Sequence, residues 1–180
     1  MDVWATLLLA HLIADFPLQT NWVFKVKTQG SWGVGVHVGI HLLVTAVLIK
    51  DHLAYWHVLL VLGVAHFITD WVKLRFPGRL QTPGFIVDQI IHWLTLLLIA
   101  IAVPTMPVLL PTWLLYPILA LTLIPALLTC LWILANDLRN QPTPTWPPVE
   151  WASQHLLRAS QLIGFALVIL VGTSSLLAML

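Results

Sequence analysis

Charge is what this sequence has least of. Asp, Glu, Lys and Arg together make up 8% of its 180 residues, and 59% are hydrophobic. Soluble domains carry about 25% charged residues, so the composition excludes an ordinary water-soluble domain and points to a multi-pass membrane protein. Cysteine is nearly absent: with Cys130 alone, neither an intramolecular disulfide nor a Cys-rich metal site can form. Glutamate is as scarce. Glu150 is the sole example and lies in a polar stretch, so an intramembrane glutamate base and a His-Glu-x-x-His zinc motif are both excluded. A formal net charge of +1 with no basic cluster argues against a nucleic-acid partner. The opening residues lack the positive segment and small-residue cleavage site of a secretory signal, and the first apolar segment is therefore read as a retained helix.

What the chain does have is long apolar runs and tryptophan. Ten Trp suit a protein whose indole rings sit at the headgroup boundary. A helix needs roughly 20 apolar residues to cross the hydrocarbon core. By that measure six spans are predicted, at Val3–Phe16, Gly33–Ile49, His52–Trp71, Gly84–Val103, Thr112–Leu134 and Gln154–Leu180. The fold class is thus all-α, a polytopic bundle of about six transmembrane helices. The first span is short, so its ends must lie near headgroups or be covered by neighbours. A break at Thr105–Pro111, bracketed by prolines, divides a four-helix core (1–104) from a two-helix remainder (105–180) with a Pro-rich loop at 136–153.

The basic residues orient this arrangement. Lys25, Lys27, Lys73, Arg75, Arg79, Arg139 and Arg158 fall on one side and Lys50 alone on the other. Basic residues in short loops stay in the cytoplasm, which predicts both termini outside.

Each of the first four spans carries one pair of ionisable residues at i, i+4: His11/Asp15, His37/His41, His66/Asp70 and Asp88/His92. That spacing puts both members on one helix face. All eight fall at the cytoplasmic ends of their spans and so form one layer. An aspartate at membrane depth costs at least about 2.5 kcal/mol, and such groups face a partner or a cavity. Five imidazoles and three carboxylates make a nitrogen- and oxygen-rich donor set suited to Zn, Mn or Fe. The expectation is one or two divalent ions held by His11, Asp15, His66, Asp70, Asp88 and His92. His37 and His41 would complete the shell or act as acid/base groups. A metal-free polar network or an ion pathway is the competing expectation.

The segments HLIADF (His11–Phe16) and HFITDW (His66–Trp71) share His-x-Ile-x-Asp-aromatic, and each is followed by Leu-Gln-Thr, at Leu18–Thr20 and Leu80–Thr82. Each triplet is expected to lead into the next membrane helix, giving two hairpins in parallel orientation about a pseudo-two-fold axis along the membrane normal. Gly33, Gly35 and Gly39 are expected to let the second span approach a neighbour closely. Asp137 and His155 lie at the level of the polar layer and read as loop or interface residues. His52 and His57 read as interfacial residues on the opposite side.

With LLAHLIADFPLQTNWV (Leu8–Val23), VHVGIHLLVT (Val36–Thr45), HFITDWVK (His66–Lys73) and FIVDQIIHWLTLLL (Phe85–Leu98) in hand, the chain resembles a bacterial membrane family catalogued as domain of unknown function 3307. The resemblance covers about the first hundred residues and implies a multi-pass protein of the bacterial inner membrane, without implying a reaction. A looser likeness is to inner-membrane metal-dependent hydrolases that use His-x-x-x-Asp pairs.

Three functions compete. The first is a metal-dependent hydrolase of a phosphoester or lipid-like substrate, opening toward the cytoplasm, with basic residues at its mouth to meet an anionic head group. The second is a metal or proton transporter, disfavoured because the outer halves of the spans are uniformly apolar. The third is a metal-binding or structural membrane protein without catalysis.

Overall fold

The computed structural model describes residues 2–141 and 146–179. Among them the chain is helical: α1 (Asp2–Asp15), α2 (Asn21–Lys27), α3 (Ser31–Leu48), α4 (Trp56–Arg75), α5 (Gln81–Ala102), α6 (Thr112–Arg139) and α7 (Pro147–Met179). An isolated antiparallel bridge between Ile49 and Val108 ties two connections together at the Lys50 end. Five helices, α3 to α7, are long and apolar enough to cross a membrane.

The distribution of side chains is that of a membrane bundle. Leu60, Val61, Val64 and Ile68 of α4 and Ile90, Leu94, Leu98 and Ile101 of α5 face outward, a surface that hydrocarbon solvates and water would not. The inward stripes step by a helical turn and change character along their length. From the Lys50 end inward, α4 buries Val58 and Leu62, then His66 and Asp70. On α3 the order is Leu48 and Thr45, then His41 and His37, and on α5 it is Ile99 and Leu96, then His92 and Asp88. Each stripe is apolar in one half and ionisable in the other, so the polar groups meet in one layer.

At 14 residues, α1 is too short to count among the long spans, and its position resolves how it survives. At 1.5 Å per residue it is about 21 Å long. Every residue from Ala5 to Asp15 is buried, and α1 packs against α3, α5 and α6 as the central post of the bundle. Neighbours cover it, so no hydrophobic mismatch with lipid arises. At its start, Thr112 Oγ1 and Tyr116 Oη donate to the two carboxylate oxygens of Asp2 at 3.0 and 3.1 Å.

The contacts α1–α3, α3–α4, α4–α5 and α5–α1 close a ring, the arrangement that two hairpins about a two-fold axis require. The repeat is broken in one place. Leu18-Gln19-Thr20 does not lead directly into α3; Thr20 caps α2, its Oγ1 accepting from the Val23 N–H at 3.3 Å. Leu80-Gln81-Thr82 does open a membrane helix, α5. The first hairpin therefore carries an extra seven-residue helix that the second lacks, a departure from the repeat expected of the sequence.

Of the three glycines named above, Gly33 alone is a close-approach site. A Cβ there would run into the Val26 carbonyl, so Gly33 is what seats α2 on α3. Gly35 and Gly39 have open space where a side chain would go. Gly164 of α7 lies against Pro17, where a Cβ would come 3.0 Å from the Pro17 Cα.

Helices α6 and α7 form a long antiparallel pair. Ser160 Oγ donates to the Pro125 carbonyl at 2.9 Å and Trp132 Nε1 donates to the Ser153 carbonyl at 3.0 Å. Both helices outrun the predicted spans: α6 continues to Arg139 and α7 begins at Pro147, so the connection is shorter than the 136–153 loop read from composition. Residues 142–145 of that loop lie outside the described residues.

Candidate metal centre

Four helices deliver the eight sequence-predicted residues to one buried cluster. His37 is 0% exposed, Asp70 1%, and none of the other six exceeds 9%. Two turns at the end of α1 supply His11 and Asp15; facing turns of α3, α4 and α5 supply the remaining pairs. The five imidazoles touch one another. Ring centroids are 3.7 Å apart for His41–His66, 4.1 Å for His66–His92 and 4.8 Å for His37–His41.

Asp15 is the hub. Its Oδ1 accepts from His41 Nε2 at 2.8 Å and from His37 Nε2 at 3.0 Å, and His66 Nε2 lies 3.9 Å away. Its Oδ2 accepts from Gln89 Nε2 at 3.0 Å, and the Gln89 carbonyl oxygen accepts from His11 Nε2 at 3.2 Å. An amide oxygen only accepts, so His11 must hold its proton on Nε2 in this arrangement. Gln89 also donates to Asp88 Oδ2 at 3.4 Å and so links two of the three carboxylates.

The other two carboxylates have lysine partners. Lys27 Nζ, carried by α2 and only 8% exposed as a residue, sits 2.7 Å from Asp70 Oδ2. Lys73 Nζ, half-buried, donates to Asp88 Oδ2 at 2.7 Å and lies 5.4 Å above the Phe85 ring. With neutral imidazoles, three carboxylates and two ammonium groups leave one negative charge uncompensated, and it belongs to Asp15. Lys27 and Lys73 are therefore part of the site rather than free residues at its mouth; Lys25, Arg75 and Arg79 are exposed.

The donor atoms fit a metal ion. Asp15, His37, His41 and His66 each offer one ligand atom, and these atoms lie within 4.8 Å of one another; His66, Asp70 and His92 form a second set by the same measure. His66 Nε2 lies 3.2 Å from Asp70 Oδ2 without the alignment of a hydrogen bond, and His92 Nε2 is likewise buried without a hydrogen-bond partner. Imidazole nitrogens left unpaired in a dry cluster are the atoms a cation would satisfy. His11 and Asp88 stand outside both sets, His11 engaged by Gln89 and Asp88 by Lys73.

The sequence reading missed Gln89, Lys27 and the role of Lys73. A neutral amide directly after Asp88 in an apolar helix was the available signal for Gln89, since buried polar groups must be paired. Asp137 and His155 do not join the cluster. Asp137 instead caps α5, accepting from the Gln81 and Thr82 N–H groups at 3.0 and 2.7 Å. His155 is exposed and stacks on Trp151, and His52 and His57 are exposed at the Lys50 end.

Fold and site together define a class: a polytopic helical membrane protein whose interior carries a His/Asp layer able to hold a metal ion. Within that class, the chain belongs to the family described as protein of unknown function DUF3307, whose model matches residues 3–119. The match takes in α1 to α5, the whole cluster and the first turns of α6. Neither the curated proteins nor the solved structures contain a match to the chain.

Proposed function

We propose that this chain is a metal-binding protein of the bacterial plasma membrane, holding a divalent ion inside its bundle through Asp15, His37, His41 and His66. The observation that carries the reading is the convergence of three imidazoles on Asp15, the one carboxylate of the cluster without a lysine partner. Three nitrogens, one oxygen and no thiolate suit zinc, with Mn or Fe as weaker fits. Four protein donors would fill a tetrahedral zinc and leave no open position, which is the pattern of a site that holds metal rather than presents it to a substrate. The absence of ionisable residues from the outer half of the described inward stripes speaks against a transport route.

A metal-dependent hydrolase is the second reading, and the set His66, Asp70 and His92 is what favours it. Three donors leave a fourth position open, where a divalent ion would polarise a phosphoryl or carbonyl group and activate water. His37 and His41 would then be the acid/base groups, and exposed Lys25, Arg75 and Arg79 would meet the anionic head group of a phosphoester or lipid-like substrate. The pairing of Asp70 with Lys27 places this reading second.

Protein purified in detergent without chelator and offered Zn or Mn is expected to carry stoichiometric metal by elemental analysis. Metal-free protein after that treatment would overturn the proposal. Turnover of phosphoester or phospholipid substrates in step with metal content would shift it to the hydrolase. Orientation is tested separately, with Lys25→Cys in a Cys130→Ser background. The new thiol is expected to resist an impermeant reagent in intact cells, and ready labelling would reverse the topology.

A further inference from the structure

The two halves of the cluster are built alike but filled differently. By the repeat, Asp15 of α1 corresponds to Asp70 of α4, and each has its own histidine four residues before it, at 3.6 and 3.2 Å. Around Asp15 the remaining neighbours are imidazoles and an amide. Around Asp70 an ammonium group lies 2.7 Å from Oδ2, His37 Nε2 is 3.6 Å from the same oxygen, and His92 stands off at 3.9 Å from Oδ1. That ammonium comes from α2, the helix that the second hairpin lacks.

We propose that Lys27 is an internal cation that occupies the second metal position and holds the protein to one ion per chain. The proposal rests on the metal-binding reading above and concerns the control of that site. Two physical points support it. First, Lys27 sits 2.7 Å from the same Asp70 oxygen that His66 Nε2 faces at 3.2 Å, so while the ammonium is there the shared His66 serves the Asp15 set and the second set is left with Asp70 and His92. Second, two ions would overcharge the cluster even with every imidazole neutral, the form in which imidazole ligates a metal. A divalent ion beside Asp15 takes the net charge from −1 to +1, and a second would take it to +3 in a low-dielectric interior, where like charges repel strongly.

Seating is what gives Lys27 this role. A free lysine on a flexible loop would exchange with water, since the ammonium is strongly hydrated. Here Thr20 caps α2, Val23 and Val26 are buried beneath it, and Gly33 lets its backbone lie directly on α3. The side chain is thereby delivered from one hairpin to the carboxylate of the other.

Lys27→Met keeps most of the length of the side chain and removes its charge. Asp15, His37 and His41 could then hold one ion and His66, Asp70 and His92 another, with three donors each. The experiment measures metal per chain after Zn loading, together with thermal unfolding in detergent with and without Zn. Expected are one ion in wild type and two in K27M. Metal-free K27M should be destabilised by its unpaired Asp70 and recover on adding Zn. The variant K27M/D70N, which removes both charges, should return to one ion and to wild-type stability without metal. Two ions in wild type, or one in K27M, would overturn the proposal. Zero ions in wild type with one in K27M would sustain it while refuting the Asp15 site, and zero in both would refute the two together. If K27M does not fold without metal, addition of Zn during membrane extraction is the decisive arm, and failure of Zn to rescue it counts against the proposal.

Discussion

Asp15→Asn is expected to strip the protein of metal while leaving the helical bundle intact. Asp15 is the acceptor on which His37 and His41 converge, and its charge is the one the lysines leave unbalanced. An asparagine oxygen can still accept from both imidazoles, and its amide nitrogen can donate to Gln89 once the Gln89 amide turns over and His11 moves its proton to Nδ1, so the local packing survives. What goes is the only anionic ligand of the four-donor set. Loss of even an outer partner of a metal ligand costs about 10–100-fold in affinity, and loss of a charged ligand should exceed that. The metal-free variant should unfold at or above the temperature of metal-free wild type, because an uncompensated buried carboxylate has been removed. Elemental analysis and thermal unfolding with and without Zn check both halves. A D15N protein that keeps wild-type metal would place the ion elsewhere.

The largest effect on stability is expected at the other carboxylate. Asp70→Asn leaves the Lys27 ammonium buried without its partner at 2.7 Å. Breaking a buried ion pair by deleting one member costs about 3–5 kcal/mol, whereas replacing both members with apolar or neutral groups is often close to neutral. D70N should therefore be severely destabilised, and adding Lys27→Met to it should restore most of the loss. A double-mutant cycle of unfolding free energies measures that coupling directly. Wild-type stability in D70N, or no recovery in the double variant, would mean that the pair is not the support the geometry implies. The contrast is informative in itself: neutralising Asp15 and neutralising Asp70 are the same chemical change in repeat-related positions, with opposite expected effects on the metal-free fold.

That contrast also marks where the sequence could be read and where it could not. The four i, i+4 pairs and their common depth were visible because an ionisable residue in an apolar run has few acceptable explanations. The stripes on α3, α4 and α5 then follow from helical periodicity. Lys27 was hidden by the opposite circumstance. A lysine just beyond a membrane span is what the positive-inside rule leads one to expect, so nothing singled it out from Lys25, two residues away and exposed. The helix that carries it was equally hidden, since seven residues with two lysines offer too little apolar periodicity to distinguish a helix from a loop. Gly33 was read as a packing residue on the right helix, but its partner turned out to be α2 rather than another span. Gln89 does not ionise and so stood out less in an apolar run, although a buried amide needs partners just as a carboxylate does.

The central position of α1 bears on the order in which the protein can be made. Its environment is supplied by segments synthesised after it: Asp2 is held by Thr112, which follows 110 residues later in the chain, and Leu115, Ile118 and Leu119 of α6 share the core cluster with α1. A ribosome delivering this chain to the membrane must therefore release a short helix bearing His11 and Asp15 well before anything encloses it. The bundle has to assemble around α1 rather than onto it. The family match ends at residue 119, the last of those three α6 side chains to join the α1 core.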